Sequence, residues 1–334
     1  MKALIIGFGL IGKERYKALI NLGICTEKEI DVIDPNLGKD VDSTPTFKSN
    51  NFSYKDVNFI ADSELKKSYE IMIISAPHIE SKEMIFKYSD LSSLILMEKP
   101  MGLSTEDAMK IKKLESTNKK IHIGFNYRFF TAIQQLKEDL FNKKFGEIIN
   151  ISMEVGFGHQ PNAEKSWRLD PSQIPQGAIL DPGIHLFDLS RFLFGEIEIS
   201  SAMSWGDFWG KGYQEDISIL GQTKDGHKIT FHISNVMWRS TFKVEVWGTD
   251  CYGIIDGRGR SYGDQKYTIG KRWNWDESIT QRESEEIIST SNCEDSFENE
   301  LRDVLISKKG IAARSLDGVN AMKLVELVHE STKI

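Results

Sequence analysis

The sequence predicts an α/β fold in two parts: a doubly wound parallel sheet, then an α+β region built on a large open-faced, mostly antiparallel sheet. Three observations predict it. Short apolar runs alternate with helix-spaced segments through the first third, strand-like runs follow one another with few helices after about residue 145, and 334 residues exceed one ordinary core. The expected division is a doubly wound domain over 1–122 and an α/β domain over 123–334.

In the first part, Ala3–Ile6, Ile30–Ile33, Ile71–Ile74, Leu94–Met97 and Ile121–Ile123 are continuous apolar runs, as parallel strands covered on both faces require. Lys13–Leu22, Ser81–Tyr88 and Thr105–Ser116 carry helical spacing between them, and Ser104 with Asp107 reads as a capping box. Repeated strand–helix–strand units imply right-handed crossovers. In the second part, Ile148–Val155, Ile197–Met203, Ile217–Leu220, Lys228–Ile233 and Phe242–Val246 are expected strands, with a hairpin at Asp225-Gly226. Helices are expected at Asp188–Phe194, Ser296–Ser307 and Leu316–Glu330, and Tyr252–Trp275 reads as one strand plus a long loop.

Composition narrows the function. A formal net charge of −7 leans against a nucleic-acid or anionic-membrane partner. No run approaches the roughly 20 apolar residues that span a bilayer. Cys25, Cys251 and Cys293 are scattered and odd in number, so neither a disulfide framework nor a metal cluster is expected, and the compartment reads as the cytoplasm.

Two clusters carry chemistry. In "IIGFGLIGKE", Gly7, Gly9 and Gly12 stand in G-x-G-x-x-G spacing between a strand and a helix, a turn that brings Leu10, Ile11 and the helix N-terminus to a pyrophosphate. Asp34 lies 22 positions after Gly12 at the end of the second strand, where a carboxylate accepts both ribose hydroxyls of NAD and repels the extra phosphate of NADP. NAD(H) is therefore favoured over NADP(H). Ser75, Ala76 and Pro77 end the next long strand with small residues on which a cofactor can lie, or form an ordinary strand-to-helix turn. In "GAILDPGIHLFDL", Asp181 is expected to cap a helix with Pro182 at its first position, which puts His185 four residues on along the same face. His185 is then either a proton acceptor near neutral pH or a satisfied core histidine. Lys99, at the carboxyl end of a strand where open α/β sheets bind ligands, is either a solvated lysine or the group that holds a substrate oxygen. Glu98 beside it holds Lys99 or a backbone amide.

Together GFGLIG, Glu98–Lys99–Pro100, "GFNYRF" (Gly124–Phe129) and "DPGIHLFD" (Asp181–Asp188) resemble the glucose–fructose oxidoreductase / inositol dehydrogenase family, and the ending "SFENELRDVL" extends the resemblance over nearly the whole chain. The resemblance implies a Rossmann domain and an NAD(P)-dependent dehydrogenase or reductase of CH–OH groups on a sugar, polyol or sugar derivative. It implies that Lys99 is catalytic and touches substrate and nicotinamide ribose, with Glu98 among the cofactor-binding residues. Asp181 would orient substrate and His185 would be the acid/base. Asn126, Arg128, Trp167 and Arg168 would shape the substrate site, and the Lys99–Pro100 bond is a candidate for the cis form. Arg15, His78 and Gly177-Ala178 depart from the family's usual residues. No metal is implied. A homodimer or homotetramer through the C-terminal sheet is expected, since an exposed sheet face must be covered. Two other readings remain. One is a nucleotide-sugar or amino-sugar 3-dehydrogenase or ketoreductase, for which Arg168, Arg258, Arg260, Trp205, Trp209, Trp273 and Trp275 would serve a nucleotide or equally an interface. The other is a cofactor-binding sensor without turnover.

Overall fold

A computed structural model describes residues 1–35, 54–159, 169–212, 214–272 and 285–332. The chain divides into two compact units, Met1–Asn126 with Asp295–Met322, and Tyr127–Glu294 with Lys323–Ile334.

The first unit holds strands β1 (Ala3–Ile6), β2 (Ile30–Ile33), β3 (Asn58–Phe59), β4 (Ile71–Ile74), β5 (Leu94–Glu98) and β6 (Lys120–Gly124), with helices α1 (Leu10–Asn21), α2 (His78–Tyr88) and α3 (Thr105–Lys113). All strand pairs are parallel, in the order β3-β2-β1-β4-β5-β6. This is the doubly wound arrangement whose ligand crevice lies beyond the carboxyl ends of the strands. Strands β1 and β4 are buried at every residue, which is why their sequences are apolar without alternation. Ser104 caps α3 by accepting from the Asp107 N–H at 3.1 Å.

The two units are not separated by a single cut along the chain. The first unit runs to Asn126 and takes back the segment from Asp295. That segment starts with α7 (Ser296–Arg302) and passes into a π-helical turn at Asp303–Ser307, so the single helix expected over Ser296–Ser307 is two elements. Phe297 and Leu301 are part of the core beneath β1 and β2, and Asn21 donates to Glu298 at 2.6 Å. The last helix, α8 (Ser315–Ser331), divides between the units. To number helices in chain order, the second unit contributes α4 (Thr131–Phe141), α5 (Gly177–Leu180) and α6 (Ile184–Phe194).

The second unit carries eight strands: β7 (Ile148–Gly158), β8 (Ile197–Trp205), β9 (Asp216–Thr223), β10 (Lys228–Ser234), β11 (Val236–Gly248), β12 (Cys251–Asp256), β13 (Gln265–Lys271) and β14 (Glu286–Ser291). Their order is β14-β13-β12-β11-β7-β10-β9-β8, antiparallel except for β7 with β10. Asp225-Gly226 makes the expected hairpin turn between β9 and β10. Tyr252–Trp275, expected as one strand and a loop, instead supplies both β12 and β13 about a short turn. Alternate residues of β9 and β10 point into the unit, where Phe231 meets Phe187 of α6 edge-on at 5.7 Å. The opposite face presents Ser152, Ser218, Leu220, Thr230 and His232.

On that face His232 bridges two strands, its Nδ1 2.9 Å from Glu154 and its Nε2 3.2 Å from Asp216. The Glu154 hydrogen bond, with the Asp216 charge, raises its pKa against the opposing effect of burial. A raised histidine stabilises the fold fully below its unfolded pKa of about 6.5 and loses that contribution as pH climbs through the folded value. The melting-temperature gap between the natural protein and His232→Gln is therefore expected to be wide at pH 6 and to narrow by pH 8.5. A gap that is constant over this range would exclude the bridge.

Candidate active site

In the first unit the glycine turn is built as its spacing predicts. Gly7 has φ +88°, and a Cβ there would stand 2.7 Å from the Ala76 nitrogen. A Cβ on Gly12 would lie 2.1 Å from the Gly7 carbonyl oxygen, so only glycine lets α1 approach the turn. Leu10 and Ile11 open α1, whose N-cap, Gly9, supplies no side-chain hydrogen bond, and a Cβ on Gly9 would meet open space. An uncapped helix N-terminus beside open space fits a pyrophosphate. Asp34 follows β2 and accepts from the Phe8 N–H at 2.6 Å, which anchors the carboxylate next to the same turn. The Ser75 hydroxyl donates to the Gly7 carbonyl at 2.8 Å, so Ser75 braces the turn from β4. Ala76 follows it, and Pro77 is the exposed N-cap of α2. These residues fit a dinucleotide.

Glu98 ends β5, and its carboxylate is taken by Arg15 of α1 at 2.7 Å. Arg15 is fully buried and also pairs with Glu300 of α7 at 2.6 Å. Glu98 thus anchors Arg15 in the interior of the unit. Lys99 follows it, half-buried, and Lys99–Pro100 is cis. Asn126, at the end of this unit's main segment, donates to the Ser296 hydroxyl at 3.0 Å.

In the second unit Asp181 and His185 do not share a helix face. Asp181 is the extended residue that ends α5, its N–H bonded to the Gly177 carbonyl, and α6 starts only at Ile184 with Gly183 as N-cap. Two turn residues separate the elements, so the helical four-residue argument fails although both groups remain nearby in sequence. Asp181–Pro182 is cis as well. His185 lies in the first turn of α6 and is 7% exposed. Its ring stacks on Tyr127, with centroids 4.0 Å apart and planes 6° from parallel. Burial pushes the Tyr127 hydroxyl well above the usual phenol range against the opposing Arg258 charge, with Tyr262 and Asp181 adding to the rise, so Tyr127 stays neutral. Arg128 expends its fork on Asp188, one turn beyond His185, with Nε to Oδ2 at 2.8 Å and Nη2 to Oδ1 at 2.5 Å. The pair ties the segment after β6 to α6. Trp167 and Arg168 lie outside the described residues, as do Trp273 and Trp275. Sequence reasoning missed Tyr127, which stands between the two residues it selected in "GFNYRF"; its aromatic character was the available signal. It also missed the partners of Arg15.

Among the described residues no group of three or more His, Cys, Asp or Glu is placed to hold a metal, and no helix is long and apolar enough to cross a membrane.

Comparison with known proteins matches residues 1–126 to an oxidoreductase family model, the NAD-binding Rossmann fold, and residues 133–252 to the GFO/IDH/MocA C-terminal domain. The chain is 30% identical over 277 residues to glucose-6-phosphate 3-dehydrogenase of Bacillus subtilis, covering 76% of this chain and 77% of that one. It is 27% identical over 199 residues to inositol 2-dehydrogenase of Rhizobium meliloti, covering 56% of this chain and 57% of the relative. The fold is shared with levoglucosan dehydrogenase in complex with NADH (TM-score 0.76, 15% identity, 99% of this chain and 96% of that one). It is shared too with UDP-N-acetylglucosamine 3-dehydrogenase from Acidithiobacillus ferrooxidans (TM-score 0.73, 17% identity, 99% and 97%). A glycine turn that fits a dinucleotide, a Lys-Pro strand end and an aspartate–histidine segment thus occur in a chain that belongs to the GFO/IDH/MocA family of NAD-binding oxidoreductases.

Proposed function

We propose that this protein oxidises a secondary alcohol of a sugar, polyol or sugar derivative, reversibly, with NAD(H). The observation that carries the reading is the turn at Gly7–Gly12, with an uncapped α1 N-terminus, open space at Gly9 and Asp34 anchored beside it. Gly7, Gly9, Leu10, Ile11, Gly12, Asp34, Ser75, Ala76 and Pro77 would hold the cofactor, which when bound exchanges hydride with the substrate carbon.

The protein's own groups manage the proton and the oxygen. His185 takes the hydroxyl proton in oxidation and returns it in reduction, because a neutral imidazole is a competent base near pH 7. Its stack on Tyr127 fixes the ring plane, so the accepting nitrogen keeps one direction through the cycle. Lys99 would donate to a substrate oxygen and stabilise the negative charge that grows as the proton leaves. Asp181 accepts from a neighbouring substrate hydroxyl and sets which carbon is presented. Asn126, which donates to the Ser296 hydroxyl, would shape the substrate site.

The names of the relatives support a sugar or polyol ring, with inositol, glucose 6-phosphate and UDP-N-acetylglucosamine as the classes to test first. The test is NADH formation from these compounds by the natural protein and His185→Asn. Turnover by the natural protein, reduced about 100-fold or more in the variant, is expected. NADH binding without turnover across the panel would favour a sensor instead.

Asp34 supports NAD(H) over NADP(H). Asp34→Asn keeps an acceptor for the Phe8 N–H and removes the charge, so the NADP+/NAD+ ratio of kcat/KM is expected to rise at least about tenfold, about 1.4 kcal/mol. An unchanged ratio would remove Asp34 from cofactor selection. The exposed sheet face supports a homodimer or homotetramer, to be measured by light scattering. Free Cys25, Cys251 and Cys293 suit a reducing compartment, the cytoplasm.

A further inference from the structure

The segment "DGRGRSYG", Asp256–Gly263, joins β12 to β13 in a fixed turn. Gly257 donates to the Phe242 carbonyl at 2.9 Å, and Gly259 to the Gly263 carbonyl at 2.7 Å. A Cβ on Gly259 would lie 1.9 Å from the Asn292 carbonyl oxygen, so the backbone is pressed against β14's end in a way only glycine allows. Gln265, fully buried, bonds the Gly257 carbonyl and accepts from the Ala132 N–H, tying the turn to the start of α4. This bracing holds one eight-residue turn in a fixed conformation.

What it positions is Arg258. Its guanidinium carbon lies 5.1 Å from the centre of the Tyr127 ring and 3.7 Å from that of Tyr262. The Tyr127 ring is the one on which His185 stacks, so one ring carries both the proposed base and a permanent cation. Among the described residues no carboxylate forms an ion pair with Arg258, and its Nε is buried without a hydrogen-bond partner. Burial opposes the charge, while Tyr127 and Tyr262, a hydrogen bond with Tyr262 and the Asp181 charge favour it; the buried Nε still lacks a partner, and the planar fork matches phosphate or carboxylate oxygens.

From this we infer that Arg258 binds an anionic substituent of the substrate, so that the dehydrogenase acts on an acidic sugar, a phosphate ester or a sugar acid, in preference to a neutral one. The inference rests on the reading of His185 as part of the substrate site. Tyr127 and Tyr262 pack against the guanidinium and restrict its rotamers, which lowers the entropy lost when an anion binds.

The test is calorimetric titration of the full chain with NADH present, using glucose, glucuronate, glucose 6-phosphate and inorganic phosphate. At least one acid is expected to bind tighter than glucose by roughly 10- to 100-fold, the worth of a hydrogen bond between charged groups. Arg258→Gln should erase that gain and Arg258→Lys should keep part of it. A gain confined to glucose 6-phosphate and inorganic phosphate identifies a phosphate; one confined to glucuronate identifies a carboxylate. Equal binding of glucose and the acids, binding of none of the four, or a preference that survives in Arg258→Gln overturns the inference. NAD+ reduction is followed in parallel. Arg258-dependent anion binding with no reduction by any compound would sink the dehydrogenase reading and leave the anion site standing. NAD+ reduction by glucose and the acids alike, without regard to charge, would do the reverse.

Discussion

Replacing Lys99 with alanine is expected to lower kcat by about 100- to 1,000-fold, the loss that follows removal of one donor to a developing oxyanion. NADH affinity should change much less, because the glycine turn, Asp34 and the α1 N-terminus do not depend on the lysine side chain. The split between kcat and cofactor binding is the informative readout. A general collapse of the strand end would weaken both, since β5 and β1 belong to the same sheet. Lys99→Arg keeps the charge but exchanges a compact ammonium for a wide fork, and so should recover little activity. Stopped-flow measurement of hydride transfer with NADH fluorescence titration separates the two quantities. Full turnover in Lys99→Ala with any accepted substrate would take Lys99 out of the chemistry.

The largest effect on stability is expected at Arg15. Its guanidinium is fully buried, with Glu98 at 2.7 Å, Glu300 at 2.6 Å and the Phe297 ring 4.8 Å away. Burial works against the charge, and Glu98 and Glu300 together outweigh it, so the guanidinium pKa is raised. Arg15→Ala leaves two carboxylates facing each other with no cation between them, one of them wholly out of solvent. Removing one member of a buried charge cluster costs about 3–5 kcal/mol, most of it from the charges left behind. Urea unfolding should show this. The decisive comparison is the triple variant Arg15→Met, Glu98→Gln, Glu300→Gln, in which no charge is stranded. It should recover much of the lost stability. If it is no more stable than Arg15→Ala, lost packing against Phe297 explains the effect instead.

The same cluster shows why part of the fold was hidden in the sequence. The parallel strands were legible because burial on both faces forces unbroken apolar runs, and α1 was legible because Gly7 and Gly12 answer local demands of backbone geometry. The Arg15–Glu300 pair joins residues 285 positions apart, and neither residue type signals the other. That contact returns Ser296–Arg302 to the first unit, whereas the expected boundary assigned everything after 122 to the second. Asp181 failed for a different reason. An aspartate before proline and an apolar run is a well-formed helix start, yet α5 ends on that residue and the chain needs Pro182 and Gly183 before α6 begins. Local preference was satisfied by either arrangement, and packing chose between them.

By itself, then, the sequence determined the doubly wound sheet, the glycine turn with an aspartate beside it and the antiparallel second half. Each depends on short-range rules: side-chain period, glycine geometry and the chemistry of single groups. Only the tertiary structure decided that Arg15 holds Glu98, that Arg128 is spent on Asp188, and that His185 lies flat on Tyr127 with Arg258 over the same ring. Those are contacts between distant segments, set by which surfaces pack together, and no spacing along the chain encodes them.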